Sequence, residues 1–451
     1  MKSYFSPFVV ALVWIFVSFG SMLSAQQAMS LEDAVAEALQ NNFQNRIAKV
    51  NQAIAENSNH LSFAGGLPIV NFGLNATTTF NRNQNPASFL TEINTYSGGI
   101  NPTLEVLYTL YNGKKVKYTM DQLSLQQNQT TLEVQNSMQQ TVYDVTLAYY
   151  GAVIQSRQLA ITKEVIGLSK DRIKREEARQ EYGQGSSFDI LQTTDAFLID
   201  SSTFLSQKLA FENAKRNLLL TIGANDYARE ITLTDDLNLE SGNFELNNLV
   251  ETMLSQNPTY QQLILARELA AVNTNIRRAD RLPTISLRGS GGYNYNNTFA
   301  GNGTLVDGSE RDFGGLESTT LNGAIALNFS FPIYDGGLRK KQVQNAAMSE
   351  MVSQLSLDQT RQQLTNRIQI AYNNFETQKQ LAALTTERIN NAKSSLDIAT
   401  ERFNAGQINS FDYRAVQISY LSANQVYLNA LFNLKNAYLD ILLLTGELIN
   451  Q

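Results

Sequence analysis

The sequence predicts a mixed fold, in which strands suited to a membrane β-barrel wall are combined with very long α-helices of the coiled-coil kind. Three observations predict it. A set of landmarks recurs at about half the chain length, four runs of residues alternate between apolar and polar, and two segments of more than sixty residues contain no proline. Because an overlooked duplication distorts every later assignment, the repeat frames the other elements.

The first residues have the order of a secretory signal peptide. Lys2 is followed by a mostly apolar run over residues 8–19 and by small residues that end in Ser24 and Ala25. We expect residues 1–25 to be removed and the mature chain to begin at Gln26. The alternative is an uncleaved anchor, but the run is short for a membrane span.

Composition excludes several kinds of chemistry. The chain has no cysteine, so it forms no disulfide and binds no metal through thiolate. Its net charge of −6 is mild and is accompanied by many Asn and Gln residues, which gives no indication of a broad basic surface for nucleic acid. We therefore expect neither a cofactor nor a nucleic-acid partner.

The landmarks of the repeat keep their order along the chain. Tyr111-Asn112-Gly113 corresponds to Tyr334-Asp335-Gly336, and Ser187-Phe188-Asp189 corresponds to Ser410-Phe411-Asp412, at the same offset. Leu67-Pro68 and Leu282-Pro283 each precede an alternating run. The pattern predicts two copies, residues 26–225 and 226–451, each with a helical lead, two strands and two helices.

Alternation with a period of two predicts the strands. The runs begin near Phe72, Ile100, Ile285 and Leu321, and each spans about ten residues, the length of a membrane barrel strand. The polar stretches 81–97 and 296–320 are expected to be hairpin loops at the outer rim. A soluble sheet with one covered face would produce the same alternation.

Two segments are predicted to be unusually long helices. Each runs without proline, from Lys114 to about Tyr182 and from Leu338 to about Ala405, and would extend roughly 100 Å. Shorter antiparallel partners are expected at 187–222 and 410–445, the second with an apolar stripe of Leu428, Leu431, Phe432, Tyr438, Ile441 and Leu442. The segment 170–181 is expected to be a solvated face with local ion pairs, Asp171 with Arg175 and Arg172 with Glu176.

This order of parts resembles the TolC-type outer membrane efflux proteins over essentially all of the mature chain. The motifs that carry the resemblance are Leu67-Pro68 before a hairpin and the run Tyr334 to Lys340 that opens a long helix. The resemblance implies a homotrimer in the outer membrane, whose protomers each give four strands to a twelve-stranded barrel continued by a periplasmic helical tunnel. It also implies a passive conduit served by a periplasmic adaptor and an inner-membrane pump.

The resemblance implies a gate where the long helices turn back. Gly183, Gly185 and Gly406 lie at these turns, where a chain leaves a helix through positive φ. Asp189 and Asp412 follow them, and in the family acidic residues at this place ring the constriction. The plainer interpretation is helix capping. This chain departs from the family in having Ala415 in place of a second acid and Ile408 in place of a basic residue.

Two other classes of protein fit the sequence less well. An exported hydrolase would have to use His60, the only histidine, near the end of the lead helix, so no enzymatic activity is expected. A structural or adhesive coiled-coil protein of the envelope would account for the long helices without a channel, but it leaves the four alternating runs unexplained.

Overall fold

The computed structural model describes residues 27–237 and 242–449. The predicted signal peptide, residues 1–25, lies outside the described residues. No helix in the described ranges combines the length and the apolar character needed to span a bilayer.

The described chain alternates between strands and helices. The strands are β1 (Gln27–Met29), β2 (Ile69–Gln84), β3 (Leu90–Asn112), β4 (Ile231–Leu233), β5 (Thr284–Leu305) and β6 (Glu310–Ser330). The helices are α1 (Leu31–Asn41), α2 (Phe43–Ser58), α3 (Lys115–Glu181), α4 (Ser187–Ile222), α5 (Leu246–Gln256), α6 (Pro258–Ala279), α7 (Leu338–Asn404) and α8 (Ser410–Thr445).

The long helices begin and end within one residue of their predicted bounds. Helices α3 and α7 have 67 residues each, and their partners α4 and α8 have 36 each. Helices α4 and α8 both end at a glycine in the left-handed conformation, Gly223 and Gly446. A Cβ at Gly223 would lie 2.9 Å from the Asn41 carbonyl oxygen, and one at Gly446 would lie 2.7 Å from that of Gln256. Only glycine fits both the conformation and the space.

The chain divides into two compact units. Among the described residues, the first comprises 27–51, 131–237, 242–262 and 358–449, and the second comprises Gln52–Thr130 and Leu263–Leu357. Each predicted copy, 26–225 and 226–451, contributes to both units. The two-copy organisation stays a prediction, because compactness in space and repetition along the chain are different properties.

The second unit contains a four-stranded antiparallel sheet in the order β2-β3-β5-β6. Its strands have 16 to 23 residues, about twice the predicted length. The predicted loops 81–97 and 296–320 are wrong, because only residues 85–89 and 306–309 connect the strands. The misassigned stretches are rich in Asn, Ser and Gly, but their Thr, Tyr and Phe residues favour a pleated surface and their backbone groups are paired in the ladder.

The lead of each copy is a pair of helices rather than the single predicted helix, with a short strand before it. Strands β1 and β4 pair in parallel over three residues, from Gln27 with Ile231 to Met29 with Leu233. Ser30 then begins α1 in a capping box with Asp33. Three residues carry too little pattern to identify a strand from sequence, so this pairing was missed.

The core of the first unit lies along the facing sides of the long and short helices. One cluster surrounds Tyr149, Leu218 and Ile222, and another surrounds Phe375 and Ile441. The predicted stripe on α8 is confirmed, since Leu428, Leu431, Tyr438, Ile441 and Leu442 are buried and Phe432 is partly buried. The amphipathic pattern therefore indicated the packed face correctly.

We expect Tyr149→Phe to lower the free energy of unfolding by about 1–3 kcal/mol, because the part-buried Asp235 amide loses its acceptor and the Met29 carbonyl loses one of its donors. The Tyr149 hydroxyl donates to the Met29 carbonyl oxygen at 2.9 Å and accepts from the Asp235 amide at 3.1 Å. Thermal and denaturant unfolding followed by circular dichroism would measure the loss. Tyr372→Phe is the matched control, because Tyr372 is partly buried and has no hydroxyl partner among the described residues.

The same variant should also change the response to alkali. Burial is the main cause that raises the pKa of Tyr149, so the fold favours the neutral hydroxyl. That contribution is complete below about pH 10, the usual tyrosine value, and declines as the pH rises toward the raised pKa. The difference in stability between Tyr149→Phe and wild type should shrink above that pH, and a constant difference would contradict this explanation.

Candidate functional site

Two helix turns of the first unit contain the predicted site residues. Residues 182–186 join α3 to α4, and residues 405–409 join α7 to α8. Gly183 and Gly406 have φ values of 71° and 72°, as predicted for the point where the chain leaves each long helix. The two turns close with equivalent hydrogen bonds, from the Gln184 amide to the Arg179 carbonyl and from the Gln407 amide to the Arg402 carbonyl, each 2.8 Å long.

Gly185 serves a different purpose from the one predicted. It does not adopt positive φ. A Cβ at this position would lie 3.0 Å from the Gln180 amide nitrogen and 3.3 Å from the Arg179 carbonyl carbon, both of which are backbone atoms. The prediction of a left-handed turn residue is wrong here, and the reason for glycine is the close approach of the chain to the end of α3.

Asp189 is engaged in capping helix α4. Its carboxylate accepts from the Ser186 amide at 3.2 Å and from the Ser186 hydroxyl at 2.8 Å, and the Ser186 hydroxyl in turn accepts from the Asp189 amide. This reciprocal arrangement is a capping box, which gives the Ser186 amide its carboxylate acceptor and adds a hydroxyl acceptor for the Asp189 amide. The plainer of the two sequence interpretations therefore describes the geometry of Asp189.

Asp412 occupies the same place in the second turn but is used differently. There the cap is Asn409, whose side-chain oxygen accepts from the Phe411 and Asp412 amides at 2.9 and 2.8 Å. The Asp412 side chain is exposed, and its carboxylate has no hydrogen-bond or ion-pair partner in residues 27–237 and 242–449. Because Asn409 alone caps the helix, the carboxylate of Asp412 is left free for another role.

The departures from the family pattern have visible consequences at the second turn. Ala415 is exposed, while Ile408 packs against an apolar cluster that includes Phe403 and Tyr413. The rings of these two residues stack with centroids 4.6 Å apart and planes inclined by 4°. An apolar contact thus stands where the resemblance led us to expect a basic residue.

Arg175 of α3 reaches across to the end of α7. Its guanidinium lies over the Phe403 ring at 4.5 Å and donates to the side-chain and backbone oxygens of Asn404 at 3.1 and 2.8 Å. The predicted local pair of Arg175 with Asp171 is wrong, since Asp171 pairs with Lys174 at 3.5 Å. A cation held over an aromatic face and on two oxygens joins the first helical hairpin to the second.

A buried ion pair also joins the two hairpins. Arg414 of α8 donates with both terminal nitrogens to the Asp200 carboxylate of α4, at 2.8 and 2.6 Å. The Ser169 hydroxyl of α3 donates to the same carboxylate at 2.5 Å. The Asp200 side chain is 6% exposed and that of Arg414 is 16% exposed, so the pair is largely removed from water. Three helices are fixed to one another at a single carboxylate.

Arg172 and Glu176, predicted to lie on a solvated face, are buried at 2% and 1% exposure. Glu176 pairs with Arg179 rather than with Arg172. Arg172 donates one terminal nitrogen to Gln417 at 3.5 Å, and its Nε lacks a partner within the described part of the chain. Burial, followed by repulsion from Arg414, lowers the pKa of Arg172, while Asp200 acts in the opposite direction.

A sequence signal for this burial did exist. The buried residues Val165, Ser169, Arg172 and Glu176 of α3 follow one another at spacings of four, three and four. That spacing continues the packing seam of the helix, although the residue types change from apolar to charged. The prediction of a solvated face is therefore wrong for Arg172 and Glu176, because the charged residue types conceal a periodicity that continues the seam.

A cleft of about 310 Å³ opens beside the ion pair between α4 and α8. It is lined by Arg172 and Arg414, by polar residues such as Gln192 and Ser410, and by the exposed apolar side chains of Phe411 and Ile418. None of these is a nucleophile paired with a base. The only histidine, His60, is exposed and bonded to Ser62. In the ranges that the structure describes, no three His, Cys, Asp or Glu side chains could hold a metal ion.

Known proteins resemble this chain in both sequence and fold. A family model described as outer membrane efflux protein matches residues 249–447. The chain is 24% identical over 207 residues to outer membrane protein TolC of Escherichia coli (strain K12), which is 46% of this chain and 41% of that protein. The match to outer membrane protein TolC of Salmonella enteritidis is similar, at 23% identity over 46% of this chain and 40% of the relative. The aligned part thus spans less than half of each curated relative.

Solved structures match over much more of the chain. The Campylobacter jejuni CmeC outer membrane channel superposes with a TM-score of 0.74 at 18% identity, covering 92% of this chain and 85% of that one. The Vibrio cholerae outer membrane protein VceC gives a TM-score of 0.68 at 16% identity, covering 92% and 96%. At these identities the likeness shows the fold. Together the matches confirm the predicted resemblance to the outer membrane efflux family.

We expect the Asp200–Arg414 pair to give a large coupling energy in a double-mutant cycle. Asp200→Asn and Arg414→Gln should each lower the free energy of unfolding by about 3–5 kcal/mol, since each leaves a buried charge unpaired. The double variant should lose less than the sum by about 1.5–3 kcal/mol.

The control cycle is the exposed pair Arg157–Asp236, 2.6 Å long with side chains 56% and 59% exposed. Its coupling should stay below about 1 kcal/mol. Equal coupling in the two cycles would contradict the view that the Asp200 carboxylate joins the two hairpins.

Proposed function

We propose that this chain, which resembles the TolC-type outer membrane efflux proteins, is the protomer of a trimeric outer membrane channel. The channel is a passive conduit that carries substrates from the periplasm to the exterior. It works with a periplasmic adaptor and an inner-membrane pump, as the resemblance suggests. It performs no chemistry of its own, which agrees with a family of transport proteins.

The observation that carries the proposal is the sheet with two open edges. Strands β2 and β6 form its edges, with 16 and 21 residues, and neither has a second neighbouring strand in the described chain. In a bilayer these unpaired amides and carbonyls would each cost several kcal/mol, so only a closed sheet can span it. Three copies, joined edge to edge, supply the twelve strands of a closed barrel.

The two faces of the sheet differ as a barrel wall requires. Val70 pairs with Val106 and Phe72 with Leu104 on one face, and Ile325 and Leu327 of β6 continue it with side chains 84% and 67% exposed. The neighbouring rung on the other face joins Asn71, Glu105 and Ser290. An exposed apolar face beside a polar one suits lipid outside and water inside.

An aromatic rung closes the apolar face at its far end. Phe80, Tyr96 and Phe299 are direct cross-strand neighbours, and the first two rings lie 4.8 Å apart. Along β2, the apolar face from Val70 to Phe80 spans about ten residues, the length with which a tilted strand crosses a bilayer. Aromatic side chains favour the boundary between lipid and water, so the rung supports an outer rim at this level.

The gate of the proposed channel lies at the helix turns, with unequal parts for the two acids. Asp412 is exposed and free, so three copies of it would present three uncompensated carboxylates around a narrow opening. The Asp189 carboxylate is held in its capping box. We therefore assign the charge at the constriction to Asp412 and a supporting role to Asp189.

The decisive experiment is the mass of the mature protein extracted from separated membranes, measured by light scattering with the detergent contribution subtracted. The proposal requires a trimer from the outer membrane fraction. A monomer released without detergent would overturn it and would favour the second candidate, a structural or adhesive coiled-coil protein of the envelope.

We expect Asp412→Asn to raise single-channel conductance in planar bilayers and to lower the preference for K⁺ over Cl⁻, because a ring of negative charge is lost. Asp189→Asn is the matched control. It should lower thermal stability by about 1 kcal/mol through loss of the capping box and leave the ion preference unchanged. An Asp412→Asn channel with wild-type selectivity would remove Asp412 from the gate.

A further inference from the structure

We infer that a band of basic side chains at one end of the sheet binds anionic phospholipid headgroups. The inference rests on the proposed function, because it requires the sheet to lie in the outer membrane. The basic band consists of three residues from each of three segments: Lys114, Lys115 and Lys117, then Arg277, Arg278 and Arg281, then Arg339, Lys340 and Lys341. All nine belong to the second unit.

The fold brings the three segments to the same end of the sheet. They lie at the junction of β3 with the first turn of α3, at the junction of the last turn of α6 with β5, and in the first turn of α7, which follows β6. In the sheet register Asn112 is the partner of Thr284, and Thr284 is the partner of Ser330, so the three strand ends share one rung. The Lys115 ammonium also donates to Asp280 at 2.8 Å, which ties the first segment to the second. Charges spread along the sequence are thereby gathered into one band.

The band carries a large excess of positive charge. Nine of the 35 Lys and Arg residues lie in it, although the whole chain has a net charge of −6. Two carboxylates form ion pairs with three of the bases: Asp280 pairs with Lys115 and Arg277, and Asp335 pairs with Arg339. The remaining six, namely Lys114, Lys117, Arg278, Arg281, Lys340 and Lys341, are exposed and form no ion pair within the ranges described.

Lys114 is placed in the band at a cost to the backbone. It has a φ of 68° and is the only described residue other than glycine with positive φ. At the equivalent turn of the second half the chain uses two glycines, Gly336 and Gly337, with φ values of 66° and 82°. The turn therefore needs two left-handed residues, and glycine is the residue that adopts them without strain. A lysine at this position therefore lowers the stability of the turn and adds a positive charge to the band.

Apolar side chains accompany the charges. Ile333 and Tyr334 are each 89% exposed, and Leu338 is 59% exposed, all beside Arg339 and Lys340. The apolar face of the sheet reaches the same end, because Ile285 follows Arg281 by four residues, roughly 13 Å of extended chain. Lysine and arginine that flank an apolar belt, with tyrosine among them, mark the depth of lipid headgroups.

The occupant that fits is a phosphate-bearing lipid headgroup with a net negative charge. A band of exposed ammonium and guanidinium groups suits the surface of an anionic leaflet, to which each basic residue contributes about a fivefold gain in binding. The exposed apolar side chains beside the charges favour lipid over a purely polar polymer such as the peptidoglycan sacculus. Each protomer of the channel would hold its own set of anionic lipids below the barrel.

The test titrates delipidated protein in neutral detergent with phosphatidylglycerol or with zwitterionic phosphatidylethanolamine, and counts bound lipid by native mass spectrometry. We expect phosphatidylglycerol to bind in preference, and excess inorganic phosphate to leave it bound. Lys340→Gln with Lys341→Gln should weaken its binding about 25-fold, following the fivefold effect of each charge. The control is Lys163→Gln with Lys393→Gln, two exposed lysines on α3 and α7 outside the band, which should bind as wild type does.

Lys114→Gly separates a lipid contact from a structural role. It should weaken phosphatidylglycerol binding about fivefold and at the same time raise the melting temperature by about 2 °C, since the strain of positive φ is relieved. A lysine needed only for the fold would give no gain in stability and no loss of lipid.

Three results would overturn the inference: equal binding of the two lipids, wild-type binding by the band variants, or retention of the protein on purified sacculi with no preference for phosphatidylglycerol. A trimer from the outer membrane without this preference would refute the lipid site alone. A detergent-free monomer would refute the proposed function with it.

Discussion

The packing seam along the long helices is the constraint on which the first unit depends. A helix of 67 residues buries little on its own, so α3 and α7 are stabilised by neighbours along the parts that belong to this unit. The seam continues past its apolar section into Ser169, Arg172 and Glu176, where water is excluded and polar groups depend on partners within the protein. Ser169 donates its hydroxyl to the Asp200 carboxylate, which also pairs with Arg414, so this carboxylate joins the helices at the polar end of the seam.

Equivalent turns in the two halves of the chain have similar backbone conformations but carry different side chains. The Asp189 carboxylate is bonded within its capping box, whereas Asn409 caps the second helix and leaves the Asp412 carboxylate without a partner among the described residues. Gly113 and Lys114 repeat the left-handed pair of Gly336 and Gly337 with a charge added. Backbone conformation is set by the turn that the fold requires, whereas an exposed side chain is free to take a new role. Function in this chain is therefore best sought where equivalent turns differ.

The edges and the ends of the sheet have different roles: the edges leave backbone groups to be paired, and the ends bring charged side chains together. In the proposed channel, the open edges of β2 and β6 pair with neighbouring protomers, because backbone groups cannot be left unpaired in lipid. The ends of β3, β5 and β6 gather charges that are distant in sequence. The net charge of −6 is a sum over the whole chain, so it does not reveal a local band of positive charge.

The sequence by itself determined the four helices of the two long hairpins, because helical hydrogen bonds are local and the limits of α3 and α7 are marked by residues such as Gly183 and Gly406. It also indicated the apolar stripe of α8 and the mixed fold, because apolar periodicity is a local property of the sequence. Only the tertiary structure decided the extent of the strands, the burial of Arg172, and which of Asp189 and Asp412 is free. Each of these depends on partners far along the chain, and no local pattern records which distant group a backbone amide or a carboxylate will meet.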